Sequence, residues 1–211
     1  MTVHAPPSVA PNLARLRAFV SALGEVVDSR GEEADILTAG RALLKYLISV
    51  DDWLPQDYAQ PDREHYRQYL LHCDSRERFS VVSFVWGPGQ ATPIHDHTVW
   101  GLVGVLRGAE RVESFRRGAA GELISKGPAE ILRAGRVDAV SPTIGDIHRV
   151  SNADAGVSVS IHVYGGNIGA VSRATYSAGG APKPFISGYA NPTLPNIWAN
   201  HRGQSRTATQ S

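Results

Sequence analysis

From residue 79 onward the hydrophobic period of the chain becomes that of short strands, and this change limits the fold more than any other feature. Short apolar stretches rich in β-branched residues are separated for the most part by Gly, Pro, Asn or Asp. We predict strands at 79–86, 99–106, 110–115, 130–132, 139–140, 148–150 and 157–164. Many short strands with this punctuation predict a sandwich or a barrel.

The N-terminal part of the chain has helical spacing instead. Apolar residues recur every three or four positions over 13–23 and again over 36–47, which predicts two amphipathic helices. A third helix is predicted over 62–72, because Pro61 precedes it and apolar residues share one side. Beyond residue 164, glycines and then prolines at 182, 184, 192 and 195 predict an extended arm over the barrel rather than regular structure.

Length and charge restrict the classes of protein that remain. The 211 residues suit a single domain, with a helical extension at 1–75, a barrel with its arm at 76–200 and a disordered polar tail at 201–211. The formal charge of +1 provides no net field for nucleic acid or anionic lipid. A single cysteine excludes an internal disulfide, and no membrane span or signal peptide is visible, so we expect a cytoplasmic monomer or small homo-oligomer.

Three of the eight histidines stand in a pattern that favours a metal site. His95 and His97 are two residues apart, so on a strand both imidazoles point to the same face. Gly145 can make the turn that lets the following strand deliver His148 to the same ion. Outside these segments, His4, His65, His72 and His201 lack such a context, and we expect them to be surface or packing residues.

The segment 157–164 alternates strictly between two kinds of side chain. One face is apolar, and the other carries Ser160, His162 and Tyr164. On the inner face of a barrel these three side chains can form a relay in which Ser160 orients His162 and His162 holds the Tyr164 hydroxyl. The alternative is a satisfied polar network without a function.

At these residues the chain resembles the cupin superfamily, which are small double-sheet β-barrels (jelly rolls) with a metal inside. Many cupins add a glutamate ligand shortly after the His-x-His pair, but positions 98–101 here read Thr-Val-Trp-Gly. A three-histidine set is similar to that of the cysteine dioxygenase type I family, the thiol dioxygenases. The likeness extends through Tyr66-Arg67-Gln68, Val85-Trp86-Gly87 and the Ser-His-Tyr group at 160–164. It implies a mainly β, cupin double-sheet barrel preceded by N-terminal α-helices.

The resemblance also implies a chemistry. His95, His97 and His148 would bind Fe(II), and the reaction would insert both atoms of dioxygen into the sulfur of a small thiol, with Tyr164, His162 and Ser160 as catalytic residues. Zinc could occupy the same ligands but cannot donate the electron that oxygen chemistry needs. Animal members crosslink a cysteine to the tyrosine that matches Tyr164. That cysteine position falls on Gly101 here, so we expect no crosslink.

One departure concerns the substrate. Cysteine-specific members of the family carry an arginine where this chain has Gln68, close to Tyr66, and it pairs with the substrate carboxylate. A neutral amide cannot form the charged bidentate pair that a guanidinium forms with a carboxylate. The substrate carboxylate therefore needs a cation from elsewhere in the chain. We take Arg173 as the candidate, with an exposed surface arginine as the alternative. The pattern resembles the bacterial branch that acts on 3-mercaptopropionate.

Three readings of function remain open. The first is an Fe(II) thiol dioxygenase that prefers 3-mercaptopropionate, and the second is a cysteine dioxygenase. The third hypothesis, from a different class, is a non-catalytic cupin that binds a ligand. A further alternative, a cupin with another metal and another reaction, is disfavoured by the missing glutamate and by the Ser-His-Tyr group.

Overall fold

The computed structural model describes residues 11–29, 31–177 and 179–192. Two α-helices open this part of the chain, as the apolar spacing predicts: α1 spans Leu13–Asp28 and α2 spans Glu33–Leu47. They pack on each other, and α2 also packs on the sheet that follows. A short 3₁₀ helix, Gln56–Tyr58, leads into the strands.

The rest of the described chain contains twelve strands joined by turns and loops. In order they are β1 Arg67–Cys73, β2 Ser80–Trp86, β3 Ile94–His95, β4 Gly101–Arg107, β5 Ala109–Arg117, β6 Leu123–Ser125, β7 Glu130–Arg133, β8 Val137–Val140, β9 Ile147–Asn152, β10 Ser158–Tyr164, β11 Arg173–Tyr176 and β12 Pro182–Phe185. All seven predicted strand segments lie on observed strands.

The strands form two antiparallel sheets, which confirms the mainly β, double-sheet fold. One sheet has the order β1-β2-β10-β4-β8, and the other has the order β12-β11-β3-β9-β5-β6, with β7 paired to β5. One apolar core lies between the helices and the first sheet, and it takes in the apolar face of β10. A second core joins the inward face of the first sheet to residues of β5, β7 and β9 in the second. The polar face of β10 therefore points into the barrel.

The predicted helix over 62–72 is wrong, because this segment ends in strand β1. The Asp62 carboxylate accepts hydrogen bonds from the backbone N–H groups of Glu64 and His65. An aspartate side chain can accept backbone N–H groups both at the start of a helix and in a turn. Here these hydrogen bonds stabilise a turn. The chain then pairs with β2 along most of its length. Part of the predicted helical extension thus lies in the first sheet.

The predicted irregular arm is also wrong in its first part. β11 and β12 form an antiparallel hairpin, and β11 continues the second sheet by pairing with β3. Pro182 and Pro184 lie on β12, at the edge of that sheet, where no further strand needs their missing N–H groups. The predicted tail at 201–211 lies outside the described residues. None of the helices in the described ranges is long and apolar enough to cross a membrane.

Candidate metal centre and adjoining cavity

The structure brings His95, His97 and His148 together. His95 lies on β3 directly opposite His148 on β9, and His97 follows β3 after one residue. All three side chains are buried, and their ligand atoms lie within 4.8 Å of one another. Each pair of rings has a centroid distance of 4.8 Å. Three convergent imidazoles at this spacing can hold one metal ion.

Hydrogen bonds fix which ring nitrogens face the centre of this group. Nδ1 of His95 lies 3.1 Å from the Pro93 carbonyl oxygen, and Nδ1 of His97 lies 2.9 Å from an oxygen of Asp146. Since both partners are acceptors, each Nδ1 donates, and Nε2 is the ring nitrogen left to face a metal. Burial lowers the pKa of His95 to about 3 and that of His148 well below its usual value. These two imidazoles are therefore neutral, as metal ligands must be.

Asp146 organises the His97 side of the centre, and the sequence pattern did not single it out. One carboxylate oxygen accepts the backbone N–H groups of His97 and Thr98, each at 3.0 Å, and the other accepts the His97 ring. Thr98 has a φ of 59°, which is unfavourable for a β-branched residue. The carboxylate therefore holds a strained turn together with the ring that the turn carries.

Ser160, His162 and Tyr164 form the predicted chain of contacts along β10. Ser160 Oγ lies 2.8 Å from His162 Nε2, and His162 Nδ1 lies 2.8 Å from the Tyr164 hydroxyl. All three are buried. Burial holds the pKa of Tyr164 above its usual value and that of His162 well below, so the tyrosine keeps its proton and the imidazole is neutral. The Tyr164 ring stacks on His97, with centroids 5.4 Å apart, so the chain reaches the metal centre.

Aromatic and glycine contacts hold these side chains in place. Phe84 stacks on His162 with ring centroids 4.0 Å apart, and the Trp86 indole N–H points at Ser160 Oγ over 3.4 Å. Gly101 pairs with Tyr164, and a Cβ there would lie 3.0 Å from the tyrosine ring. This is the position that the family resemblance assigns to a crosslinking cysteine. Cys73 lies on β1, two strands away from Tyr164, and burial raises the pKa of its thiol to about 11.

The three predicted substrate-binding residues line one cavity of about 260 Å³ next to His95. Tyr66 stacks on Trp86 at a centroid distance of 4.8 Å, and Gln68 reaches the cavity from β1. Arg173 reaches it from β11. The complete lining is Tyr66, Gln68, Phe84, Thr92, Pro93, His95, Arg173, Thr175, Lys183, Phe185 and Ser187. No aspartate or glutamate is among these described residues, whereas two cations are.

Arg173 is not a surface residue, which removes the alternative raised by the sequence. Its exposed fraction is 6%. One terminal nitrogen donates to Ser187 Oγ at 2.8 Å, and the guanidinium lies 4.7 Å from the centre of the Phe185 ring. Its Nε is buried without a hydrogen-bond partner within the described part of the chain. A buried cation with spare donors beside a cavity is suited to a carboxylate.

Comparison with known protein families decides the wider relationship. The family model described as cysteine dioxygenase type I matches residues 6–174. The chain belongs to the cysteine dioxygenase type I family. Its resemblance to this family, which rested on the histidine and Ser-His-Tyr motifs, is thereby confirmed.

Individual relatives agree with membership in the cysteine dioxygenase type I family. A cysteine dioxygenase type 1 from Bos taurus is 28% identical over 140 residues, which are 64% of this chain and 66% of the relative. The match thus spans slightly less than two thirds of that protein.

Two solved structures are similar to part of this chain at low identity. A Klebsiella pneumoniae protein with a double-stranded β-helix domain is 19% identical, with 56% of this chain and 93% of that chain covered and a TM-score of 0.42. A Cupin 2 conserved barrel domain protein from Salinispora arenicola is 19% identical, with 53% and 83% covered and a TM-score of 0.38.

Proposed function

We propose that this protein is a mononuclear non-haem Fe(II) thiol dioxygenase that converts a small mercapto-carboxylic acid and dioxygen to the sulfinic acid, with 3-mercaptopropionate favoured. The overall change is R–SH + O₂ → R–SO₂H, in which sulfur is oxidised and both oxygen atoms are retained. The observation that carries this proposal is the buried Arg173 guanidinium in the same cavity as Gln68 and the metal-centre residue His95.

The residues present fit a metal. His95, His97 and His148 would hold it through one ring nitrogen each, which would leave coordination positions for substrates. Ferrous iron bound there supplies a Lewis acid for the substrate thiol and electrons for dioxygen. The single cysteine of the chain, which leaves no internal disulfide, supports a cytoplasmic location.

Charge in the cavity supports the choice of substrate. Arg173 can pair with a carboxylate, and Gln68 can add one neutral hydrogen bond to it. Lys183 supplies a second cation in the lining, which the sequence did not predict. Because no carboxylate of the described lining faces the cavity, the ammonium group of cysteine would be left without a counter-charge. A thiol acid without an ammonium group avoids that cost.

Tyr164 is proposed to hold a proton at its hydroxyl oxygen, close to the metal. His162 and Ser160 would fix the orientation of that hydroxyl through the two 2.8 Å contacts. Its stacking on the metal-centre residue His97 supports this role. Burial of these groups keeps water away from the proton that the tyrosine holds.

The test is oxygen uptake by iron-loaded protein with 3-mercaptopropionate, cysteine and cysteamine. We expect the largest kcat/KM for 3-mercaptopropionate and the smallest for cysteamine, which has no carboxylate. Arg173→Ala should lower kcat/KM for 3-mercaptopropionate at least about 10-fold, mainly through KM, because it removes a charged pairing. Arg116→Ala, an exposed arginine of β5, is the matched control and should change nothing.

Other outcomes would point to the alternatives. A larger kcat/KM for cysteine would make the protein a cysteine dioxygenase, like the Bos taurus cysteine dioxygenase type 1 to which it is similar. Thiol binding without oxygen uptake in the iron-loaded protein would leave a ligand-binding cupin and overturn the proposed activity.

A further inference from the structure

A buried carboxylic acid lies at the far end of the Ser160-His162-Tyr164 chain. Glu110 is on β5, its exposed fraction is 0%, and it pairs with Leu132 and Asn152 across the neighbouring strands. Neither carboxyl oxygen has a hydrogen-bond partner of good geometry among the described residues. An unpartnered buried carboxyl is costly for the fold, so it calls for a functional explanation.

The polar groups that act on Glu110 are Ser160, which belongs to the Ser160-His162-Tyr164 chain, and Trp86, which contacts Ser160. Strand β5 contacts β10 across the barrel. Burial raises the pKa of the carboxyl to about 7, and the Ser160 hydroxyl and the Trp86 indole N–H act on it in the opposite direction. The contacts are thus close enough to act electrostatically, although neither has the geometry of a full hydrogen bond.

The titratable groups around Glu110 are few. Those on the inward faces of the adjoining strands are His162 and Tyr164 of β10 and His148 of β9, and β2 carries none. The titratable groups of β7, Glu130 and Arg133, are exposed. The charged neighbours along β5 and β9 pair with one another away from this core: Glu113 forms ion pairs with Arg111 and Arg149. No cation among the described residues therefore holds Glu110 in its ionised form, and both protonation states are within reach near neutral pH.

We propose that Glu110 is a positioning residue that ends the Ser160-His162-Tyr164 chain and sets the direction of its hydrogen bonds. The proposal rests on the proposed function in so far as Tyr164 works at the metal. Glu110 touches neither substrate nor metal and acts only through Ser160.

The direction follows from the number of protons that the chain holds. A protonated Glu110 donates to Ser160 Oγ, so Ser160 donates to His162 Nε2 and His162 Nδ1–H donates to the Tyr164 oxygen. The tyrosine proton is then free to point at the metal centre. An ionised Glu110 accepts from Ser160 instead, so His162 Nε2–H donates to Ser160 and the Tyr164 hydroxyl donates to His162 Nδ1. The proton of Tyr164 is then turned away from the metal.

The tautomer of His162 reports this direction without any need for turnover. We would record ¹⁵N NMR spectra of the full chain loaded with Zn²⁺, a diamagnetic ion that takes imidazole ligands, and assign the His162 signals by their loss in His162→Asn. In the wild type the ring proton should move from Nδ1 to Nε2 as the pH rises through about 7. Glu110→Gln is close in shape and cannot ionise, so its His162 should keep one tautomer throughout. Glu113→Gln on the same strand is the matched control and should behave as the wild type.

Kinetics give a second readout. With iron-loaded protein, Glu110→Gln should flatten the pH profile of kcat through this range with KM little changed, and Glu110→Leu should lower kcat about 10-fold. A His162 tautomer that does not respond to pH in the wild type, or responds equally in Glu110→Gln, would overturn the role of Glu110. Absence of oxygen uptake in the wild type would overturn the proposed function alone, because the NMR result does not depend on it.

Discussion

At the scale of single residues, one carboxylate controls the geometry of the candidate metal centre. Asp146 binds two backbone N–H groups of the strained turn and the ring of His97. Because it accepts from Nδ1 of His97, it also selects the tautomer whose Nε2 can bind a metal. The same residue therefore determines both where the imidazole lies and which nitrogen it offers.

Asp146→Asn should weaken metal binding by about 10- to 100-fold, the usual effect of losing the partner of a ligating histidine. An asparagine side chain keeps one acceptor oxygen, so it cannot serve the turn and the ring together, and its N–H₂ group would oppose the Nδ1–H of His97. Competition for Fe(II) or Zn²⁺ with a chromophoric chelator measures the change. Asp57→Asn, at an exposed aspartate of the 3₁₀ helix, controls for the loss of one negative charge. Equal affinity in the two variants would contradict the role of Asp146.

At the scale of elements, the spacing of apolar residues is enough to predict a helix or strand when one face of that element makes most of its contacts. Both helices and seven strand segments follow from apolar spacing, and β10 shows the predicted two-faced pattern. The apolar spacing over 62–72 predicts a helix, but the second half of this segment forms strand β1. Pairing with β2, rather than the spacing of its apolar residues, determines the structure of β1. The sequence does not predict the hairpin β11–β12, because its prolines are tolerated only in an edge strand. Which strand lies at the edge depends on how the whole sheet is assembled.

The candidate site divides in the same way. His95, His97, Ser160, His162 and Tyr164 were visible because residues two apart on a strand share a face. Asp146, Trp86 and Glu110 act through contacts between distant segments, which no local pattern encodes. The available signal for Asp146 is the Gly-Asp pair in front of His148, but by itself this pair predicts only a turn.

Two glycines test different properties of the helices, namely how closely α2 packs on the first sheet and how far helix propensity limits α1. A Cβ at Gly104 of β4 would lie 3.0 Å from side-chain atoms of Leu44 and Ile48. Gly104→Val should therefore lower the free energy of unfolding by about 2 kcal/mol through overpacking. Gly24 of α1 has no atom within 4 Å of such a Cβ, so Gly24→Ala should raise stability by about 1 kcal/mol through helix propensity. Urea unfolding measures both, and a stabilised Gly104→Val would show that the interface is looser than described.

At the scale of the whole molecule, the cavity beside the metal centre joins the two sheets. Gln68 and Phe84 come from the first sheet, whereas His95, Arg173 and Phe185 come from the second. A ligand that contacts both walls must lose those contacts when the sheets separate. Binding therefore stabilises the barrel as a unit, by an amount set by the ratio of ligand concentration to Kd.

3-Mercaptopropionate should accordingly raise the melting temperature of the Zn²⁺-loaded chain under nitrogen. At about 100 times Kd the linkage amounts to about 2.7 kcal/mol, which for a chain of this size corresponds to roughly 5 to 10 °C. Propionate should give a smaller shift because it lacks the thiol, and cysteamine a smaller one because it lacks the carboxylate that Arg173 pairs with. In Arg173→Ala the shifts with 3-mercaptopropionate and propionate should shrink while that with cysteamine stays. An undiminished shift with 3-mercaptopropionate in that variant would place the carboxylate elsewhere, with Lys183 as the next cation of the cavity to change.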